Sequence, residues 1–527
     1  MKKILISDPI DKNCISILQS YGYSVLYKPG MTPEQISTEI GEYNALIVRS
    51  ETKVNAAMIS KMSSMEIIGR AGTGVDNIDV ETSTRHGIIV MNTPGGNTIS
   101  AAEHTMALML SMCRNVPQAN MSIREHKWER KKYQGTELSG KVLGVIGLGK
   151  IGREVATRSK AFGMKIIGYD PLLSSETASK YGIELKDLDS LFATSDIITL
   201  HVPLSAETKY LISSENLKKC KQGVKIINCA RGGIINEEEL VDALDFGKVS
   251  AAALDVFEKE PPDFSQRIFN HPKVICTPHL GASTEEAQEK VAVQIAEQIH
   301  EFFESKKMYG VVNAVGLEAL SKKEILPYVT LAENIGKIYA QMIRYPLKQI
   351  NIYFSGEMLQ SSSSVLSSAV LKGLLSTLLT EHVNIVNSKI LAKEMGVKVN
   401  ETNSEENSNY LNLLSVEFLT DSERKYFAGT VFGNNEIRIV RIDDYFLEVK
   451  PEGYLLFYTN IDKPGMLAAV GQILSDAKIN IAGLSLGRLE EGKEALSVMN
   501  VDNQIDEKVL SKISMINGVT KVHSVRI

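Results

Sequence analysis

Cysteine is scarce in this chain: five residues among 527, at Cys14, Cys113, Cys220, Cys229 and Cys276. Their number is odd, their positions are scattered, and no CxxC pair or Cys/His ligand spacing occurs. A disulfide framework and a zinc site are therefore excluded, and the thiols read as buried groups in a reducing compartment. No stretch approaches the ~18 consecutive apolar residues that a membrane span requires. The N-terminus, MKKILISDPI, has an apolar run (ILIS) too short for a signal peptide, and it reads as a first strand. Neither sign of charge dominates: 58 Lys and Arg stand against 63 Asp and Glu, for a net charge of −5. This excludes a basic nucleic-acid binder and an acidic tail. One local excess, Arg124 to Lys132 (REHKWERKK), reads as a solvated helix face. No short-period repeat is present. A cytoplasmic, soluble chain of about three to five domains is expected, with neither nucleic acid nor membrane as a partner.

The first hundred residues alternate short apolar strands (3–7, 24–27, 45–48, 67–69, 88–91) with helical patterns. The last strand runs into the turn Thr93-Pro94-Gly95-Gly96-Asn97. A helix over 99–113 follows, and the alternation then resumes with strands at 142–146, 165–169, 196–200, 225–229, 251–254 and 274–276. Such alternation predicts parallel sheets covered by helices. A helix-period stretch over 283–303 can return the chain to the first unit, making the second doubly wound unit an insertion in the first. Beyond about Val311 the pattern changes. Residues 326–342 and 369–395 read as helical, 349–353 as a strand, the serine run 361–364 as a loop, and 400–409 as polar and exposed. Antiparallel strands are expected at 412–418, 425–431 and 437–442, with Gly433-Asn434-Asn435 as a hairpin turn. The last 75 residues read βαββαβ, a ferredoxin-like module. The expected class is α/β. A first doubly wound unit (1–99 and 283–312) surrounds a second, Rossmann-like one (100–282), followed by an α+β domain (313–450) and the terminal module (451–527).

Chemistry enters at Gly147-Leu148-Gly149-Lys150-Ile151-Gly152, which follows a strand and opens a helix. The first glycine permits the tight turn, the second lets backbone approach a pyrophosphate, and the third allows close helix–strand packing. The helix N-terminus supplies N–H groups and the positive end of its dipole. Asp170 ends the next strand about 20 residues on, where a carboxylate accepts from ribose hydroxyls and repels a 2′-phosphate, favouring NAD over NADP. A strand-ending turn at Asp170-Pro171 is the alternative.

Three further segments follow strands of the same sheet: Asn228 to Gly233 (NCARGG), Asp255 to Pro262 (DVFEKEPP) and Thr277 to Gly281 (TPHLG). Ligands of open α/β sheets bind outside the carboxyl ends of strands, so Arg231, Glu260 and His279 are expected to converge there. Oxidising an alcohol to a ketone needs a base for the hydroxyl proton while hydride leaves carbon. His279 has suitable acidity, Glu260 would stabilise and orient its imidazolium, and Arg231 offers a planar fork for a substrate carboxylate. No metal is called for.

The segments GLGKIGRE, LHVPL, NCARGG, ALDVFEKEPP and TPHLGAST resemble the D-isomer-specific 2-hydroxyacid dehydrogenase family. VRSETKV, GRAGTGVDNID, MNTPGGNT and KWERKKYQGTELSGK, with the chain length, resemble its long-form members, which act on 3-phosphoglycerate and end in an ACT domain; the resemblance implies that 1–99 with 283–312 binds substrate, 100–282 binds NAD, and 313–450 is an intervening, allosteric substrate-binding-like domain. The match is strong over the first 310 residues and good over the last 75; the middle matches mainly by position and length. The resemblance implies catalysis by Arg231, Glu260 and His279. It implies NAD contacts at Thr73, Lys150, Ile151, Asp170, Val202, Cys229, Ala230, Asp255, His279, Leu280, Gly281 and Ala282, beside Gly147, Gly149 and Gly152. Val202 departs from members with threonine there. Arg49, Lys53 and Arg70, on strand-to-loop edges, suit a substrate phosphate, with Gly72, Gly74 and Asn97 nearby in the same motifs. Arg130 is a candidate to reach that phosphate from a partner subunit. Asn460, Asp462 and Asn480 resemble effector positions of paired ACT domains that bind L-serine. A homodimer or homotetramer is implied.

The expected reaction is NAD-dependent oxidation of 3-phospho-D-glycerate to 3-phosphohydroxypyruvate at the entry to serine synthesis. Two alternatives stand beside it. One is a reductase of glyoxylate, hydroxypyruvate or another 2-keto acid, which has no need of the Arg49, Lys53 and Arg70 cluster. The other is an NAD-sensing interaction protein of the same fold.

Overall fold

The computed structural model describes residues 1–305, 308–314, 316–404, 409–433 and 435–527. The chain divides into two units, Met1–Asn92 with Ile295–Ile527, and Thr93–Gln294. In the first unit, strands β1 (Lys3–Ile6), β2 (Ser24–Tyr27), β3 (Ala45–Val48), β4 (Ile67–Arg70) and β5 (Ile89–Asn92) form a sheet in the order β2-β1-β3-β4-β5. Every pair is parallel. All four residues of β3 are buried, as a strand covered by helices on both faces requires. The helix Glu285–Ser305 brings the chain back to this sheet: a Cβ at Gly69 in β4 would lie 2.9 Å from Cδ1 of Ile295. Val312 N then bonds to Val90 O, 2.8 Å, closing the return.

The second unit holds a seven-stranded parallel sheet of β6 (Val142–Ile146), β7 (Lys165–Tyr169), β8 (Glu184–Leu185), β9 (Ile197–Leu200), β10 (Val224–Asn228), β11 (Val249–Leu254) and β12 (Val274–Cys276). Its order is β12-β11-β10-β9-β6-β7-β8. The order reverses between β6 and β9, which makes their carboxyl ends the topological switch point. The helices Thr98–Arg114 and Lys150–Ala161 pack on this sheet, with Met109, Val155 and Ile197 in one core cluster. The basic stretch 124–132 is not a helix face. The helix Val116–Arg124 ends at its first residue, and the rest is irregular, with Lys127 and Lys132 paired to Glu125 and Glu129.

The remainder of the first unit carries two more sheets. The larger runs β14-β13-β15-β16-β17-β18, from β13 (Leu347–Ser355), β14 (Lys398–Ser404), β15 (Leu413–Thr420), β16 (Arg424–Phe432), β17 (Glu436–Ile442) and β18 (Tyr445–Val449). Two expectations need correction, and one strand was not expected. Residues 398–404, overlapping the stretch read as polar and exposed, stay largely exposed and form a strand parallel to β13. The serine run feeds a helix, Ser363–Leu378, and the helical stretch after it breaks before Ser388–Glu394. Of the expected hairpin turn, Asn434 lies outside the described residues, as do 405–408 of the polar stretch.

The C-terminal sheet runs β20-β21-β19-β22, from β19 (Tyr454–Ile461), β20 (Ile481–Arg488), β21 (Glu494–Val501) and β22 (Val519–Arg526), all antiparallel. With the helices Met466–Asp476 and Glu507–Ser514 this is the expected βαββαβ order. Leu456, Val470, Leu474, Met499 and Ile513 fill its core. No helix among the described residues is long and apolar enough to cross a membrane.

Candidate active site

The three glycines of the turn after β6 meet different surroundings. Gly147 has φ +92, and a Cβ there would lie 2.5 Å from His201 O. A Cβ at Gly152 would lie 2.0 Å from Gly147 O. Packing thus demands both glycines. Gly149 is different: its φ of −64 suits any residue, and a Cβ would meet nothing within 4 Å. The protein itself does not require glycine at 149, whereas a pyrophosphate resting on the turn does. Gly149 opens the helix Lys150–Ala161 with no side-chain cap, so the first-turn N–H groups remain available to an anion. Asp170, at the end of β7, accepts from Leu148 N at 2.8 Å and Leu172 N at 2.9 Å, one bond per carboxylate oxygen. Each oxygen keeps a lone pair for a ribose hydroxyl. These residues fit a dinucleotide.

The loops after β10, β11 and β12 are locked together. Asn228, buried at the end of β10, donates to Arg231 O (2.8 Å) and accepts from Ala230 N (3.0 Å). Arg231 Nη1 bonds to Ala230 O at 2.7 Å. A Cβ at Gly232 would lie 1.8 Å from Phe257 O, so the first loop lies directly against the second. In that second loop Glu260 Oε1 accepts from Phe257 N at 3.1 Å, and Oε2 lies 2.7 Å from His279 Nδ1. Burial raises the Glu260 carboxyl, but the hydrogen bond and charge of His279 and the Phe257 amide outweigh it and hold the group below the usual carboxylate value. The His279 side chain is 44% exposed, with Nδ1 engaged by Glu260.

His279 adopts φ +55, a left-handed conformation that a non-glycine residue enters at a cost of about 1–3 kcal/mol. Asp255 holds it there. The Asp255 carbonyl accepts from His279 N at 2.9 Å, and its carboxylate accepts from Leu280 N and Gly281 N, both at 2.8 Å. Thr277 Oγ1 (2.6 Å) and His104 Nε2 (3.1 Å) complete the set. The resemblance places Asp255 at a cofactor contact; the side chain is fully buried and serves to set the loop. Burial alone would raise its carboxyl, but His104, Thr277 and Leu280 hold it below the usual value. His201, behind the glycine turn, is pushed down by burial to about 4 and is neutral at pH 7. Burial pushes the Cys229 thiol up to about 12, which leaves it unreactive. Lys150 reaches Pro94 O at 3.4 Å, and Val202 abuts Gly147. Arg130 is exposed.

In the first unit the cations expected at the substrate sit on the carboxyl ends of β3 and β4. Asp8, buried, accepts from the amides of Arg49 (2.6 Å), Glu51 (3.2 Å) and Thr52 (3.1 Å) and from the Thr52 hydroxyl. Asn77 Nδ2 donates to Arg49 O and Thr52 O, and Asn77 Oδ1 accepts from Arg70 Nε at 3.1 Å. Lys53 is exposed on the same loop. Thr73, between Gly72 and Gly74, is tied by its carbonyl to Asn92 Nδ2 at 2.5 Å. Burial lowers the Arg49 guanidinium from its usual value, against the opposing charges of Asp8 and Glu51.

The three C-terminal effector candidates are not gathered by their side chains. Asp462 pairs with Arg488 at 3.0 Å, Asn480 donates to Asp502 at 2.9 Å, and buried Asn460 donates to Ile461 O. Sequence reasoning missed Asp8, Asn77, His104 and Thr277. The GVDNID motif contains Asn77, but nothing local marks its partners 25 and 28 residues away.

Residues 106–281 match the family described as D-isomer specific 2-hydroxyacid dehydrogenase, NAD binding domain. Residues 324–443 match the D-3-phosphoglycerate dehydrogenase intervening domain, and 454–514 the ACT domain. Among solved structures the chain is similar to a glyoxylate reductase from Paecilomyes thermophila (31% identity, TM-score 0.55, 59% of this chain and 98% of that one). It is also similar to a D-lactate dehydrogenase from Aquifex aeolicus complexed with NAD and lactic acid (28%, TM-score 0.52, 57% and 95%). Over nearly the whole length it is similar to the D-3-phosphoglycerate dehydrogenases of Archaeoglobus fulgidus (41% identity, 98% of both chains) and Bacillus subtilis (40%, 99% of both). The chain belongs to the D-isomer-specific 2-hydroxyacid dehydrogenases and, within them, to the D-3-phosphoglycerate dehydrogenase family.

Proposed function

We propose that the chain oxidises 3-phospho-D-glycerate to 3-phosphohydroxypyruvate with NAD, and that His279, Glu260 and Arg231 carry the reaction. The observation that carries this reading is the 2.7 Å bond between His279 Nδ1 and Glu260 Oε2. It fixes the tautomer and presents Nε2 to take the substrate hydroxyl proton. Glu260 stabilises the resulting imidazolium, and Arg231 holds the substrate carboxylate. Gly147, Gly149, Lys150, Ile151, Gly152 and Asp170 would hold NAD, whose chemistry when bound is to accept the hydride from C2. Val202, Cys229, Ala230, Leu280, Gly281, Ala282 and Thr73 line its path in this reading. Arg49, Lys53 and Arg70, with Gly72, Gly74 and Asn97, take the substrate phosphate, joined by Arg130 from a partner subunit.

The same reading divides the chain into a substrate domain (1–99, 283–312), an NAD domain (100–282), an intervening domain (313–450) and an ACT domain (451–527). Five free cysteines support a cytoplasmic setting. A homodimer or homotetramer, with L-serine as effector at Asn460, Asp462 and Asn480 of paired ACT domains, completes it. Sedimentation equilibrium tests the assembly, and a monomer would refute it. Calorimetry tests the effector, and no heat with L-serine would remove it. For the reaction, NADH formation is compared with 3-phosphoglycerate, lactate, glycerate and 2-hydroxyglutarate. The highest kcat/KM is expected for 3-phosphoglycerate; equal values with glycerate would overturn the phosphate assignment.

A further inference from the structure

The helix Thr98–Arg114 lies against the loop that carries His279, and it meets that loop at three positions. Ser100 Oγ donates to Gly281 O at 2.9 Å. A Cβ at Gly281 would lie 3.9 Å from Cβ of Ala101. His104 Nε2 lies 3.1 Å from both Asp255 Oδ1 and Thr277 Oγ1. Ser100 and His104 are four positions apart and so share one face of the helix. The direction of each bond follows from counting hydrogens. Thr277 has one hydroxyl hydrogen, and it goes to Asp255 Oδ1 at 2.6 Å, so its oxygen can only accept from His104. Asp255 Oδ1 also accepts from Leu280 N, and Oδ2 accepts from Gly281 N. Both atoms that face His104 Nε2 are therefore acceptors, and Nε2 must carry a hydrogen that the two share.

We propose that His104 is a positioning residue for hydride transfer: its Nε2–H, shared by Asp255 and Thr277, holds the 277–281 loop in the shape that sets His279. The proposal rests on His279 being the base. His279 sits at φ +55, a conformation it keeps only under restraint. Its amide is held by Asp255 O, and Thr277 on one side and Leu280 and Gly281 on the other bond the Asp255 carboxylate. The orientation of that carboxylate thus sets the path of the loop on both sides of His279. Thr277, Leu280 and Gly281 belong to the loop being held and give the carboxylate no outside reference. His104 does, because it stands on a helix whose Leu108, Met109 and Met112 are buried in a core cluster. The Asp255 side chain is fully buried, and loss of a donor from a buried carboxylate weakens everything that depends on its orientation.

The test compares full-length His104→Gln and His104→Leu with the parent chain. Glutamine carries an N–H the same number of bonds from Cα as Nε2; leucine occupies similar space with no donor. In His104→Leu, kcat should fall about tenfold while KM for 3-phosphoglycerate stays within about twofold. Amide exchange at 277–281 should quicken about tenfold, and His104→Gln should restore most of both. In an Asp255→Asn background, His104→Leu should add little, since the shared partner is already changed. Unchanged kcat or unchanged exchange in His104→Leu, no recovery with glutamine, or losses that add in full would overturn the proposal. Failure of the base assignment reads differently: turnover would then be near parental in His279→Ala, whatever exchange shows in the variants at position 104.

Discussion

Asn77 and Arg70 are joined side chain to side chain: Asn77 Oδ1 accepts from Arg70 Nε at 3.1 Å while the same amide holds the loop that carries Arg49 and Lys53. One uncharged residue therefore sets the spacing of the proposed phosphate cations. Asn77→Ala loses up to three hydrogen bonds, each worth about 0.5–1.5 kcal/mol. KM for 3-phosphoglycerate should rise about tenfold or more with a small change in kcat. Arg70→Ala should raise KM for the phosphorylated substrate far more than for glycerate. Steady-state kinetics on both substrates checks this, and equal effects on the two would make the pair structural only.

His279→Ala should lower kcat by about 10²–10⁴-fold, the usual contribution of a positioned acid–base group. NAD binding, followed by fluorescence or calorimetry, should persist, since the glycine turn and Asp170 are untouched. Glu260→Gln should show an intermediate loss, because the amide retains a hydrogen bond but not the charge. Near-parental turnover in His279→Ala would remove the assignment.

Asp170→Asn keeps the size of the side chain but only one acceptor oxygen. Weaker NAD binding and relaxed discrimination against NADP are expected, since the repelling charge is gone. Leu148 N and Leu172 N depend on the same carboxylate, so Asp170→Ala should be the more disruptive of the two. The ratio of kcat/KM for the two cofactors is the measurement. An unchanged ratio in Asp170→Asn would assign the preference to another group.

Asp255 makes a pH-dependent contribution whose sign follows from its lowered carboxyl. The ordinary value is 3.8 and the folded value lies below it, so the unfolded chain binds the proton first as pH falls. The stabilisation is complete above the ordinary value and is lost as pH drops through the folded one. Asp255→Asn should destabilise the Thr93–Gln294 unit near neutrality and flatten the acid dependence of its unfolding below about pH 4. Urea unfolding over a pH series, followed by amide exchange at residues 277–281, tests this. A parallel pH profile in the variant would place the dependence elsewhere.

Elements with a strong period were legible from the sequence, and the glycine turn with Asp170 was legible as a unit because its parts lie within one βαβ segment. Glu260 and His279 were legible as an edge of one sheet, although their 2.7 Å contact was not. β14 escaped because KVNETNS has the polar look of a loop; it is an edge strand, paired in parallel with β13 on one side, and much of its surface stays in water. Asp8, Asn77 and His104 escaped for a related reason. Each holds groups far off in the chain, 25 to 173 residues away, even though Asn77 also bonds Arg70 nearby, and no local pattern encodes the distant pairings. Asp462 shows the converse: the motif around it is recognisable, but Arg488 already occupies the carboxylate.

Asp8 and Asp255 stand at the ends of strands in different units, and both grip a neighbouring loop by its peptide N–H groups. Every amino acid except proline offers that N–H. A loop held in this way keeps its path whichever side chains it displays, so the scaffold tolerates exchange at Leu280, Glu51 or Lys53 without losing its shape. Substrate range in this architecture can therefore drift by single substitutions on the gripped loops, while replacement of either aspartate removes the hold on a whole loop at once.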